Sequence, residues 1–421
     1  MKSLRHIFIF FVCFLLTTAS TNPYPIDGYD STGIRRLKRL QLIIDGTIKE
    51  AKPISGALKT SASIQLNLLG IKGDSLNSIP NTNPPLQKAI SSLFPLLDES
   101  YSIAVLDITK NKPIRYACLK EHRQYQPGSV GKIAVATGFF NELARLYPNS
   151  VENRIKLLKS KKVIAGKWAL YDEHTVPFFN IENQTFLKRT VKADDVFTLY
   201  EWLDHMLSVS NNGAASVIWR ETILLHVFGS DYATLTQEQA ELYFTSTPKQ
   251  SLSDLANGVV NNPLREIGID KNEWRLGTFF TKGASSYIFG QGGSTATPYA
   301  LMKYLISLER GIVIDEFSSL EIKKLLYMTD RRIRYASSPA LTNAAVYFKS
   351  GSLYKCKPEE GYECAKYKGN VDNYMNSVCI VEHPDGTTYL VVLMSNVLKK
   401  NSNIDHQTLA TYIDRIMRKK L

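Results

Sequence analysis

Tyr125-Gln126-Pro127-Gly128-Ser129-Val130-Gly131-Lys132 turns sharply and then runs into an apolar segment. Pro127 and Gly128 suit the turn. Val130, Ile133, Ala136, Phe139, Phe140 and Leu143 are spread nearly all round the following helix, the pattern of a buried one. Ser129 is therefore expected at the helix N-terminus, with Lys132 three residues on and on the same face. A serine hydroxyl is a poor nucleophile until a base takes its proton, and an amine can do so only if burial lowers its pKa. The helix N-terminus also offers a backbone N–H to a developing oxyanion. Alone, Ser-x-x-Lys carries little: a chain of this composition holds about two or three by chance, and a capped helix with a solvated lysine is the simpler account.

Two later stretches change the balance. Ser208-Val209-Ser210-Asn211-Asn212-Gly213-Ala214-Ala215 follows a segment in which Val196, Leu199, Leu203 and Met206 share a helical face. Ser210 and Asn212, two apart in a loop opening a helix, can enter one cleft, Ser210 as a proton relay and Asn212 as donor to a substrate carbonyl. An N-cap with turn asparagines is the plainer alternative. Val346-Tyr347-Phe348-Lys349-Ser350-Gly351-Ser352 is expected at the end of a strand. There Lys349 can attract a carboxylate, Ser350 can hydrogen-bond it, and Gly351 leaves room for close approach. The N–H of Ser352 can complete an oxyanion hole with that of Ser129.

In this order and context the three stretches resemble the Ser-x-x-Lys, Ser-x-Asn and Lys-[Ser/Thr]-Gly set of the penicillin-recognising serine hydrolases, the class A β-lactamases and D-Ala-D-Ala peptidases. Ser210 to Ala215 resembles the family's Ser-Asp-Asn-Thr-Ala-Ala, and Ser294-Thr295-Ala296-Thr297-Pro298 its Thr-x-Pro helix start. The resemblance implies an α/β fold of α+β type: a five-stranded antiparallel sheet flanked by helices, an all-helical lobe, and the active site between them. It also implies attack by Ser129 on an amide carbonyl, with Lys132 as base or base partner and Ser210 passing a proton to the leaving nitrogen. Lys349 and Ser350 would hold the carboxylate, while Asn212, Gly351 and Ser352 complete the binding set. The implied substrates are β-lactams or D-Ala-D-Ala-type peptides, peptidoglycan being a further candidate partner, with no cofactor.

The pattern also breaks. Class A enzymes carry Glu-x-x-Leu-Asn, whose glutamate activates the deacylating water. Here Glu273-Trp274-Arg275-Leu276-Gly277 matches in part, but aligning Arg275-Leu276 with the family's preceding Arg-Leu puts Phe280 at the glutamate position. The second placement is preferred. Asn211 stands where class A enzymes usually have aspartate. Three functions therefore remain, in order: a β-lactamase, a D-Ala-D-Ala peptidase, and a non-enzymatic acylated sensor, which should also carry a membrane span and a signalling module.

The rest of the chain frames this domain. Residues 1–20 read as a signal peptide, with basic Lys2 and Arg5, apolar Ile7 to Leu16, then small residues. That apolar run is half of what a membrane-spanning helix needs. An exported, periplasmic or secreted protein without a stable membrane span is expected. Residues 21–85 are expected to be a helical extension and linker. Apolar positions from Gly33 to Lys52 recur at helical spacing, with Arg35, Arg36, Lys38 and Arg39 forming a basic face that could touch an anionic polymer but is read in preference as the solvated face of a docking helix. Residues 86–421 form the hydrolase domain, with a sheet lobe from 86–128 and 300–421 and a helical lobe from 129–299. Expected elements are a helix from Leu86 to Leu97, strands at Ser102 to Leu106, Ile114 to Leu119, Ala344 to Phe348, Ser377 to Val381 and Tyr389 to Ser395, and a helix from Asn403 to Arg418 with Ser402 as N-cap.

The net charge is +12 over 421 residues, but the basic residues are scattered without a zinc-finger or RNA-binding signature, so nucleic acid is not an expected partner. The histidines show no metal-ligand spacing, and neither a metal nor a stable oligomer is expected. Cys356 and Cys364 lie in a polar stretch, open to a disulfide in an oxidising compartment. Cys118 and Cys379, in strand-like runs, are expected as buried free thiols.

Overall fold

A computed structural model describes residues 27–327 and 332–419. The signal-peptide segment lies outside the described residues. Five strands make one antiparallel sheet: β1 (Ser102–Asp107), β2 (Arg115–Leu119), β3 (Ala345–Lys355), β4 (Asp372–Glu382) and β5 (Thr388–Asn396), in the order β2-β1-β5-β4-β3. Both ends of the domain contribute, and β1 pairs with β5 from Ser102 opposite Met394 to Asp107 opposite Tyr389. Side chains alternate across the pleat. Ala104, Leu106, Ile380 and Val392 join the larger core toward the helical lobe, whereas Ile103, Val105, Val381 and Val391 face the opposite side.

The helices used below are α1 (Arg35–Ile44), α2 (Pro84–Ser91), α3 (Lys132–Leu146), α4 (Leu199–Leu207), α5 (Asn212–Phe228), α6 (Lys249–Glu266), α7 (Pro298–Glu309) and α8 (Asn403–Arg418). Helices α2 and α8 cover the outer face of the sheet through Leu86, Ile90, Leu409 and Ile413. Helix α3, with Ile133, Val135, Phe139 and Phe140 all fully buried, runs through the middle of the larger core beside α5 and α6.

Several expected boundaries move for local reasons. Helix α1 stops at Ile44, because Asp45 and left-handed Gly46 (φ +88°) turn the chain. Helix α2 starts at Pro84 under the Asn83 cap and ends at Ser91, ahead of Pro95, which disfavours helix in the residue before it. Helix α4 begins at Leu199, where Thr198 and Glu201 form a capping box, so Val196 belongs to a short strand instead. Ser402 makes no side-chain cap to α8; its hydroxyl lies 3.5 Å from Ser395 Oγ.

Strand β3 extends well past Phe348 to Lys355, pairing Ser350 with Ser377 and Gly351 with Asn376. Lys349 therefore lies within the sheet's edge strand and not at a strand end. Within the mostly helical middle, Thr175–Phe179 and Phe186–Thr190 form a hairpin. Cys356 and Cys364 are bonded in the loop between β3 and β4, while Cys379 is buried and Cys118 half-buried, both as thiols.

The N-terminal segment packs on the same core through Ile34, Leu37, Ile64 and Leu68. The basic face of α1 is not a solvated one. Arg36 is buried against Asp204 of α4 through two hydrogen bonds of 2.5 Å, and Arg35 pairs with Glu201 at 2.6 Å.

Candidate active site

Gly128–Gly131 forms a single 3₁₀ turn that leads directly into α3, and it carries Ser129. Two close approaches fix it. Gly128 has φ +53°, and a Cβ there would meet the backbone N and O of Ser352 at 2.8 Å; a Cβ on Gly351 would fall 2.0 Å from the Pro127 carbonyl oxygen. The approach that Gly351 permits is thus that of β3 to the protein's own serine turn, where clearance for a substrate was expected. Asn376 of β4 locks the turn by donating to the carbonyls of Gln126 (2.8 Å) and Pro127 (3.1 Å).

Lys132 opens α3 one turn after Ser129, and its Nζ lies 2.9 Å from Ser129 Oγ. The same Nζ is 2.6 Å from the Ser210 carbonyl oxygen and 2.6 Å from Asn212 Oδ1. Burial, partly opposed by the negative charge of Asp172, lowers the Lys132 pKa to about 7. A neutral amine with two N–H groups committed to those oxygens directs its lone pair at the serine hydroxyl, as a general base must.

Ser210 adopts a left-handed backbone, φ +63°, just before α5. Its Oγ accepts from Lys349 Nζ at 2.8 Å and lies 3.4 Å from Lys132 Nζ, so one hydroxyl bridges two lysines. Asn211 caps α5 through Ala214 N (2.6 Å), leaving Asn212 as the asparagine turned to the site. Lys349 is buried and also donates to the Ser350 carbonyl at 3.0 Å.

Ser129, Asn212 and Ser352 line a cleft of about 420 Å³ with Phe280 and His174, whereas Ser210, Lys349 and Ser350 line a small void beside it. A compartment of about 520 Å³ adjoins the cleft, sharing Glu173, His174, Lys366 and Tyr367 with it. The Phe280 ring lies in the cleft with its centroid 5.1 Å from Lys132 Nζ. Glu273 instead pairs with His122 Nδ1 at 2.8 Å and does not line the cleft.

Sequence reasoning missed three residues here. Asp172 accepts from the backbone of Asn212 and from the His174 ring. Arg334, buried, donates to the Gly351 carbonyl at 2.7 Å, next to the Lys349-Ser350 pair in β3. No motif marks any of the three; only the fold brings them to the site.

The chain is similar in structure to TLA-3 extended-spectrum beta-lactamase, with TM-score 0.52 and 13% identity over 80% of this chain and 99% of that one. The fold is that of the penicillin-recognising serine hydrolases. TLA-1 extended spectrum Beta-lactamase gives the same picture, with TM-score 0.52 and 13% identity over 80% of this chain and 98% of its own. No protein-family model and no curated protein matches the chain by sequence. The penicillin-recognising fold is thus carried here on a sequence that shares few residues with those structures.

Proposed function

We propose that the protein is an exported serine hydrolase that opens the amide of a β-lactam through an acyl-enzyme on Ser129. One observation carries this reading: Ser129 Oγ lies 2.9 Å from the Nζ of a buried lysine whose pKa is near neutrality. In the proposed reaction Lys132 takes the hydroxyl proton as Oγ attacks the carbonyl carbon, and the backbone N–H groups of Ser129 and Ser352 stabilise the oxyanion. Ser210, between the two lysines, delivers a proton to the leaving nitrogen. Water then cleaves the ester. Lys349 and Ser350 hold the substrate carboxylate, with Asn212 donating to a carbonyl.

A second reading, a D-Ala-D-Ala peptidase acting on cell-wall peptides, is favoured by Phe280. An aromatic ring at the place proposed for the deacylating glutamate suits an enzyme that a β-lactam acylates and that turns it over slowly. Export rests on the layout of residues 1–20; no helix among the described residues is long and apolar enough to cross a membrane.

Timed intact-mass measurement with a penicillin tests the proposal. An adduct of one penicillin mass should form on the wild type and be absent from Ser129→Ala, with the variant's melting temperature unchanged. Labelling that persists in Ser129→Ala removes Ser129 from the role of nucleophile.

A further inference from the structure

The loop preceding the 175–190 hairpin delivers Asp172 to the start of α5. Its side chain is 3% exposed. Oδ2 accepts from the backbone N–H of Asn212 at 2.7 Å and of Gly213 at 3.2 Å. Oδ1 accepts from the Asn212 side-chain amide at 3.2 Å, from His174 Nδ1 at 2.6 Å and from the His174 backbone N–H at 3.2 Å.

An acceptor for helix N–H groups is the ordinary explanation for such a carboxylate, and it accounts for Oδ2. Oδ1 also closes a local turn by accepting from the His174 backbone N–H, but that turn does not account for its two side-chain contacts, since Asn211 already caps the helix and neither of them is to the backbone of α5. Both engage side chains that line the cleft.

These contacts also fix which way the Asn212 amide points. With its N–H toward Asp172, the amide oxygen faces Lys132 Nζ at 2.6 Å. A flipped amide would set that oxygen against a carboxylate and its N–H groups against an amine. A carboxylate accepts only, so His174 donates from Nδ1 and keeps Nε2 as its other polar atom.

We propose that Asp172 is a positioning residue of the reaction centre, which locks the Asn212 amide with its oxygen on Lys132 and holds His174 at the cleft wall. The proposal rests on the Ser129 acylation reading for its catalytic meaning, but its geometry can be tested without turnover. The charged and titratable groups around Lys132 are Asp172 itself, Lys349 through Ser210, and His174 and Glu173 on the cleft wall. Removing the Asp172 charge takes away the group that favours the lysine's protonated form.

In Asp172→Asn, the Lys132 ε-methylene followed by carbon-13 NMR in lysine-labelled protein should titrate roughly half to one pH unit lower than in the wild type. The lost charge moves that midpoint whatever else Asp172 does, so the lock itself is read at the Asn212 side-chain amide: its nitrogen-15 relaxation should show mobility in Asp172→Asn that the wild type lacks, and an amide as rigid in the variant as in the wild type overturns the proposal. Should the variant fail to fold, nitrogen-15 relaxation of the wild-type Asn212 side-chain amide decides: rigidity matching the backbone supports the lock, and mobility like that of exposed asparagines overturns it. A wild type that penicillin never acylates would defeat the functional reading, while the relaxation of the Asn212 amide still settles the part played by Asp172.

Discussion

A lysine that must accept a proton works only while it is neutral, so the acylation rate should follow the titration of Lys132. With its pKa lowered to about 7 by burial, the amine is mostly protonated and inactive at pH 5.5 and mostly free at pH 8.5. The rate of adduct formation should therefore rise through that interval, roughly tenfold per pH unit on its acid side. A flat rate from pH 5 to 9 would contradict the role. Lys349 is close by but differently engaged, on Ser210 Oγ and the Ser350 carbonyl. Lys349→Ala should slow acylation by carboxylate-bearing substrates by about tenfold or more relative to neutral esters. Equal losses on both would show that Lys349 does not read the carboxylate. The residues that could be read from sequence, Ser129, Lys132, Ser210 and Asn212, are those whose spacing within a short segment already places them together. Asp172 and Arg334 could not be read, because each meets the site only through an element far away in the chain.

At the level of elements, the deciding piece is the segment that follows Leu276. It brings Phe280 to the cleft beside Lys132 and leaves Glu273 outside on His122. General-base assistance is typically worth about 10² to 10⁴ in rate, so an acyl-enzyme without it should persist. A penicillin should give a burst followed by an adduct lasting minutes, and Glu273→Gln should change neither phase. Rapid turnover lost specifically in Glu273→Gln would mean that this glutamate reaches the ester after all. Element ends show where sequence patterns run out. Periodicity marked α8 with its observed bounds, because no competing turn residue lies inside it. It overran α1 and α2, where Asp45-Gly46 and Pro95 end the helix against an apolar pattern that continues. The expected end of β3 came early because Lys349-Ser350-Gly351 reads as a turn by composition. Ladder pairing to β4 overrides that preference.

Across the whole molecule, the segment before residue 86 is fastened by charge as well as by apolar contact. Arg36 and Asp204 are both nearly inaccessible to water, at 5% and 0% exposure. Breaking such a pair from one side strands the other charge, which typically costs about 3–5 kcal/mol. Arg36→Ala should lower unfolding stability by that order in urea titrations, whereas Arg39→Ala, whose partner Glu50 is half exposed, should cost under about 1 kcal/mol. Similar losses in the two variants would mean that the Arg36 pair is better solvated than its burial indicates. Sequence alone showed the basic stripe but not its partners, since a run of arginines on a helix reads the same whether it faces water or a buried aspartate.

The sheet order has a consequence in time. Strand β5 lies between β1 and β4, so within the sheet the strands from the two ends of the chain are joined only through it. A chain emerging from the ribosome has Ser129, Ser210 and nearly all its helical lobe before the strand that closes the sheet exists. Pairings of such long sequence separation form slowly. The last strand to be synthesised thus sets when the serine turn, braced by β3 and β4, first acquires its working shape.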